Sequence, residues 1–117
     1  MHQFKELVIW KRSRLFCSSI YEVTARFPSD EKFGLTNQLR RASVSIPCNI
    51  AEGSSRNSNK DFSRFLEIAI GSAYEIETQI LIPSDLGFIT TEEATKLVTE
   101  ISEIIKMISK FRSTLKI

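Results

Sequence analysis

Residues 90–115 read TTEEATKLVTEISEIIKMISKFRSTL. Leu97, Ile101, Ile104, Ile108, Phe111 and Leu115 recur in them at intervals of 4, 3, 4, 3 and 4. That rhythm draws one apolar line along a helix, because residues three and four apart share a face at 3.6 residues per turn. Thr90 and Glu93, a hydroxyl and an acid three apart, mark where the helix starts. The same rhythm opens the chain: Ile9, Ser13, Phe16, Ile20, Val23 and Phe27 predict a first helix over about 5–27. Pro28 stops it, since a residue before proline is biased away from helical geometry.

Two further helices lie between. Leu35, Leu39, Ala42, Ile46 and Ile50 give one over about 35–54, with Gly53 suited to its end. Pro47 falls inside this pattern, removes a backbone donor and presses on the carbonyl of Ser43. Because the stripe resumes in phase at Ile50, a kink is expected there and not a break. Ser58 and Asp61 resemble a capping box for a helix over about 58–86, with Phe62, Phe65, Leu66, Ala69, Ala73, Ile76 and Ile80 as its core. Pro83 should distort its last turn, and Gly87 fits the stop. Four amphipathic helices with short connections predict an all-α, antiparallel up-down-up-down four-helix bundle, one domain spanning 1–117. The 4 Gly and 3 Pro speak against a many-turned β fold.

Composition bounds the function. A net charge of +2 is too small to imply a nucleic-acid partner. Its distribution says more: residues 1–64 hold 11 Lys/Arg against 6 Asp/Glu, and residues 65–117 hold 5 against 8. Two readings stand, scatter among solvated faces or a basic surface built by the first half of the chain. Cys17 and Cys48 lack metal-ligand spacing and read as buried thiols in a reducing compartment rather than as a disulfide. No secretory signal or membrane-spanning run is present in the sequence, so a cytoplasmic protein with no membrane partner is expected.

Catalytic chemistry is excluded by elimination. The single histidine, His2, allows neither a di-iron Glu-x-x-His pair nor a nucleophilic triad. Gly53 and Gly71 stand alone, so no glycine-rich loop cradles a phosphate. Glu75 and Glu77, two apart on a helix, point in different directions. No enzyme activity and no cofactor are expected. Cations fare better. Lys11, Arg12 and Arg14 cluster on the first helix, Arg40 and Arg41 on the second, Arg56 in the next loop, and Lys60 and Arg64 on the third. Such groups can contact phosphates without reading sequence.

The middle helices carry more apolar surface than one bundle face needs. Val44, Cys48 and Ala51 project opposite the core line of the second helix, flanked by Arg40 and Arg41. Ile70, Tyr74 and Leu81 project off the core of the third. A second apolar line on adjacent helices predicts self-association or a partner interface.

Three stretches carry a family likeness: Phe4 through Lys11, Gln38 through Gly53, and Ser84 through Ile89. They resemble the four-helix-bundle family named for the intervening sequences of bacterial 23S rRNA genes, over nearly the whole chain. The resemblance implies a bundle that assembles into a ring of five, a homopentamer. It also brings in the accessory protein of diversity-generating retroelements, a basic barrel that binds nucleic acid and a reverse transcriptase. The family's motif falls on Arg40, Arg41, Pro47, Asn49, Glu52 and Gly53; Cys48 and Pro83 depart from its usual pattern. The leading expectation is a homo-oligomeric scaffold binding RNA or DNA through a basic face, and the alternative is a protein-protein interaction module with no nucleic-acid role.

Overall fold

A computed structural model describes residues 2–117. Its helices are α1 (Val8–Thr24), α2 (Leu35–Ser54), α3 (Asn59–Asp85) and α4 (Thr91–Ser113), with single 3-10 turns at Phe4–Glu6 and Ser29–Glu31. Among the described residues there is no strand. Cross-helix bonds fix the directions. Cys17 meets Ser43 and Arg40 meets Thr24, so α1 and α2 run antiparallel. Ser45 bonds Ser72 while Gly53 faces Phe62, which sets α3 against α2 in the same sense. Ser102 bonds Glu77 and Arg112 bonds Ser63, and α4 closes on α1 through Arg12–Glu103 and Arg26–Glu93. The result is an up-down-up-down bundle measuring 44 × 23 × 20 Å.

The core is the set that the stripes define. Ile9, Phe16, Ile20, Leu39, Ile46, Ile50, Phe62, Leu66, Ile76, Ile80, Ile101, Ile104 and Ile108 are buried together. Ala69 and Ala73 of α3 are fully buried in the same interior. The hydroxyls of Ser13, Thr24, Ser43 and Ser54, buried in the same interior, bond to carbonyls three or four residues back, which satisfies them without a distant partner.

The first helix is shorter than its stripe. Leu7 takes extended backbone (φ −75°, ψ 128°), which separates the Phe4–Glu6 turn from α1 and folds Phe4 back onto Trp10. His2 follows, half-buried, with its ring 5.0 Å from Phe62 and 5.7 Å from Phe111. At the other end, the amides of Arg26 and Phe27 bond three residues back, to Val23 and Thr24. The tightened turn ahead of Pro28 still delivers Phe27 to the core, against Phe88.

Each helix end has a local cause. Ser58 accepts from the amide of Asp61, but the Asp61 side chain turns to Arg64, so only half of the expected capping box forms. Thr90 and Glu93 form the complete box. At the end of α3, Gly87 takes φ +79°, the amide of Phe88 reaches the carbonyl of Pro83, and that of Gly87 reaches Ser84. This is a Schellman stop. Helix α3 runs through Pro83 to Asp85, and α2 runs through Pro47 to Ser54.

Pro47 is accommodated from outside its helix. Lacking an N–H, it leaves the carbonyl of Ser43 without its usual partner. The thiol of Cys17 on α1 donates to that carbonyl at 3.2 Å. Burial pushes the Cys17 thiol above its ordinary value, which keeps it a donor. Cys48, read from the sequence as buried, is exposed in the single chain, because it sits on the outer line of α2.

Gly53 serves a purpose other than the helix stop assigned to it. It lies inside α2, where a Cβ would sit 2.8 Å from both Phe62 Cδ1 and Phe65 Cβ. A Cβ at Gly71, exposed in mid-α3, would meet nothing within 4 Å. We therefore expect Gly53→Ala to lower stability by about 1–3 kcal/mol through overpacking. Gly71→Ala should raise it by about 0.5–1 kcal/mol through backbone entropy and helix propensity. Urea unfolding of the two variants measures both, and equal effects would refute the close approach at Gly53.

Candidate interaction surfaces

Antiparallel packing converts charge order along the chain into charge order along the bundle axis. Cys17, Ser45, Ser72 and Ser102 lie near one level, as the bonds linking α1 to α2, α2 to α3 and α3 to α4 show. The half that holds the chain termini contains residues up to 17, 45–72 and 103–117. It carries eleven Lys/Arg against five Asp/Glu, a net of +6. The opposite half, residues 18–44 and 73–102, carries five against nine, a net of −4.

Arginines neutralise the acids of the terminal half. Arg12 pairs with Glu103 at 2.9 Å, Arg56 with Glu52 at 3.0 Å, Arg112 with Glu67 at 2.9 Å, and Arg64 reaches Asp61 at 4.0 Å. Exposed pairs such as these add little to stability. Their effect is on the surface field, since among the described residues only Glu6 of that half's acids has no cationic partner. Lys5, Lys11, Lys60, Lys106, Lys110 and Lys116 are exposed and, among the described residues, have no carboxylate partner.

The eight cations singled out in the sequence therefore divide. Lys11, Arg12, Arg14, Arg56, Lys60 and Arg64 gather in the terminal half, three of them engaged by acids. Arg56 and Arg64 also flank the ring of Phe65, at 4.9 and 5.2 Å. Arg40 and Arg41 lie in the acidic half. Arg40 braces α2 against α1, donating through Nε to Thr24 Oγ1 at 2.8 Å and lying 4.5 Å from the Tyr21 ring centroid. Arg41 is exposed beside the α2–α3 groove. Sequence reasoning passed over Lys5, Lys106, Lys110 and Lys116. For the last three the signal was the run of lysines from Lys106 on, which joins the others only once the helices alternate in direction.

The second apolar line is not continuous. Val44 (38% exposed) and Cys48 lie on the outer face of α2, with Ala51 half-buried toward the N-terminal segment. Tyr74 (59%) and Leu81 (47%) face outward on the α4 side of α3, while Ile70 packs partly on the core. Leu15, Val8, Ile68, Ile82 and Phe33 are further exposed apolar residues. Of the motif's polar residues, Asn49 donates within its own helix to Ser45, and Glu52 holds Arg56.

Among the described residues no group of three or more His, Cys, Asp and Glu side chains is placed to hold a metal ion. No helix is long and apolar enough to cross a membrane.

An all-helical up-down bundle with a basic terminal half defines the class. The chain belongs to the 23S rRNA-intervening sequence protein family, whose pattern matches residues 5–110. It is similar to a crystal structure of a protein of unknown function from the S23 ribosomal protein family of Bacteroides thetaiotaomicron. The two share 27% identity at a TM-score of 0.84, over 92% of this chain and all of that one. No protein of curated function matches the sequence.

One titratable group ties the acidic half together. Glu93 accepts from Arg26 of α1 and from the amide of Thr90 in its own cap. The guanidinium first, and the amide second, hold its carboxyl at about 2 against an ordinary 4.5. A depressed carboxyl stabilises the fold fully above its unfolded value and loses that contribution as the pH falls through the folded one. The stability advantage of the native chain over Glu93→Gln should thus be complete above about pH 4.5 and disappear towards pH 2. Denaturant titrations at stepped pH check this; an advantage unchanged down to pH 2 would refute it.

Proposed function

We propose that the chain is the subunit of a non-enzymatic homo-oligomeric scaffold, a ring of five, that binds RNA or DNA through the terminal end of its bundle without reading sequence. The observation that carries the reading is the division of labour among the cations. Arginines engage four of the five acids of that end, and among the described residues its six lysines are exposed without a carboxylate partner. Lysine is a compact, strongly hydrated charge suited to phosphate contacts that need no fixed geometry. Kinship with a family named for an rRNA insertion agrees with a nucleic-acid partner but names none.

Assembly is proposed from the exposed apolar residues of α2 and α3. A ring needs two different faces on each subunit, and Val44 on one side of the bundle and Tyr74 with Leu81 on another are exposed apolar residues suited to them. The same residues favour the second reading, a protein-interaction module. In that case a single protein would co-purify after nuclease treatment and nucleic acid would be irrelevant.

Filter binding of a single-stranded and a duplex oligonucleotide tests the first reading. Affinity should fall by at least about tenfold between about 50 and 200 mM salt. Charge reversal at Lys11, Lys60 and Lys110 should weaken it further, and reversal at Arg41 should leave it unchanged. Absence of binding to either probe at low salt would sink the reading. Light scattering should give several times the 13.4 kDa of one chain, and Val44→Lys should reduce it to one chain with helicity intact.

A further inference from the structure

The terminal end holds one feature that general phosphate binding does not use. Trp10, the sole tryptophan, is half-buried on the outer side of α1. It packs against Phe4 in a T-shaped pair, with ring centroids 5.3 Å apart and planes at 72°. The guanidinium of Arg14 lies 5.3 Å from the indole centroid, over the ring. Around them opens a depression of about 690 Å³ lined by Lys5, Trp10, Lys11, Arg14, Leu15 and Ser18. It contains three cations, an aromatic ring and an exposed leucine, and no acid.

Arg14 is the unusual member. Of the five arginines in the terminal half, the other four each have a carboxylate; Arg14 has none among the described residues. A purely structural arginine here would be expected to share that pattern. This one is parked on a π face, which attracts a cation without neutralising it. The depression is also built and not incidental. The extended backbone at Leu7 turns the Phe4–Glu6 segment back, and that turn brings Lys5 alongside Trp10.

We propose that this depression binds single-stranded nucleic acid, with a base stacked on the Trp10 indole in the place Arg14 now covers. Arg14 then swings to a phosphate beside Lys5 and Lys11. A base offers a π face whatever its identity, so stacking on an aromatic side chain tolerates any sequence. A duplex keeps its base faces inside the stack and cannot use the indole. The proposal rests on the nucleic-acid reading above and sharpens it to the strand state and to one site on each subunit.

Trp10 reports on its own occupancy. The native protein is titrated with oligo-dT while tryptophan emission and filter retention are followed together. Emission should be quenched in a saturable way with the midpoint that filter binding gives. A duplex of equal length should bind at least about fivefold more weakly, in line with the loss of a stacked base. Each phosphate contact adds about −0.7 to the slope of log affinity on log salt, so Arg14→Ala, which keeps the tryptophan, should reduce that slope by about 0.7. Trp10→Leu should weaken oligo-dT at least about fivefold and leave duplex binding as it was. Retention on the filter with unchanged emission would overturn this site and leave the broader reading standing, as would a duplex bound as tightly as the single strand. No retention of any nucleic acid would overturn both.

Discussion

The carbonyl of Ser43 sits in the middle of α2, and Pro47 denies it the intrahelical bond that every neighbouring carbonyl has. Ser43 is itself fully buried, so water is a poor substitute partner. The thiol of Cys17 supplies the donor, which places one atom of α1 against one atom of α2. From that point the register of the pair follows. One and two turns further along α1, Tyr21 and Thr24 meet Arg40, stacked on the ring and bonded to the hydroxyl. On its other side, α2 has no side chain at Gly53 and small ones at Ala42 and Ser45, so α3 approaches closely enough for Phe62 and Phe65 to touch the backbone. Helix α2 is therefore the member to which both neighbours are keyed, and α4 closes the remaining seam with ion pairs at Arg12 and Arg26.

That register decides where charge goes. Along the sequence, the basic residues favour the first half of the chain, which suggests a surface made by α1 and α2. In the bundle, the direction of each helix matters more than its order. Arg40 and Arg41 belong to the start of α2 and so travel to the acidic half, away from Lys11 and Lys60. Lys106, Lys110 and Lys116, drawn from the acidic half of the sequence, join the basic end because α4 finishes there. The polarity of the molecule is a property of the topology.

What the sequence disclosed follows from the same physics. Period and punctuation located the four helices and most of the core, because a stripe at 4 and 3 spacing leaves little freedom in which face is buried. The boundaries of α1 were not legible. No proline, glycine or capping residue punctuates residues 4–9, and the break at Leu7, whose side chain packs on the core while its backbone is extended, shows only in the fold. Gly53 was placed correctly but for a different reason, since a close approach by α3 is invisible until α3 is present. The arginine partners were equally hidden: Glu103 lies 91 residues from Arg12, and Glu67 lies 45 from Arg112. Helical-wheel positions identified Val44, Tyr74 and Leu81 as facing away from the core. A wheel cannot say that the first lies on the outer face of α2 while the others turn toward α4.

The contrast between arginine and lysine bears on how the proposed scaffold would work. A planar guanidinium suits fixed partners, and here arginines hold carboxylates, a threonine hydroxyl and aromatic rings. Among the described residues the six lysines of the terminal end have no carboxylate partner, so their charge is available to a ligand whose phosphates need no single arrangement. In a closed ring the subunits are related by rotation about one axis. If the bundles stand along that axis, every terminal end falls on the same rim. Each copy then adds a net of +6 to that rim and −4 to the other. Such an assembly has one face for a polyanion and one that repels it. The strand would be held along the rim by many weak, exchangeable contacts, and Trp10, once per subunit, would be the point at which a base is gripped.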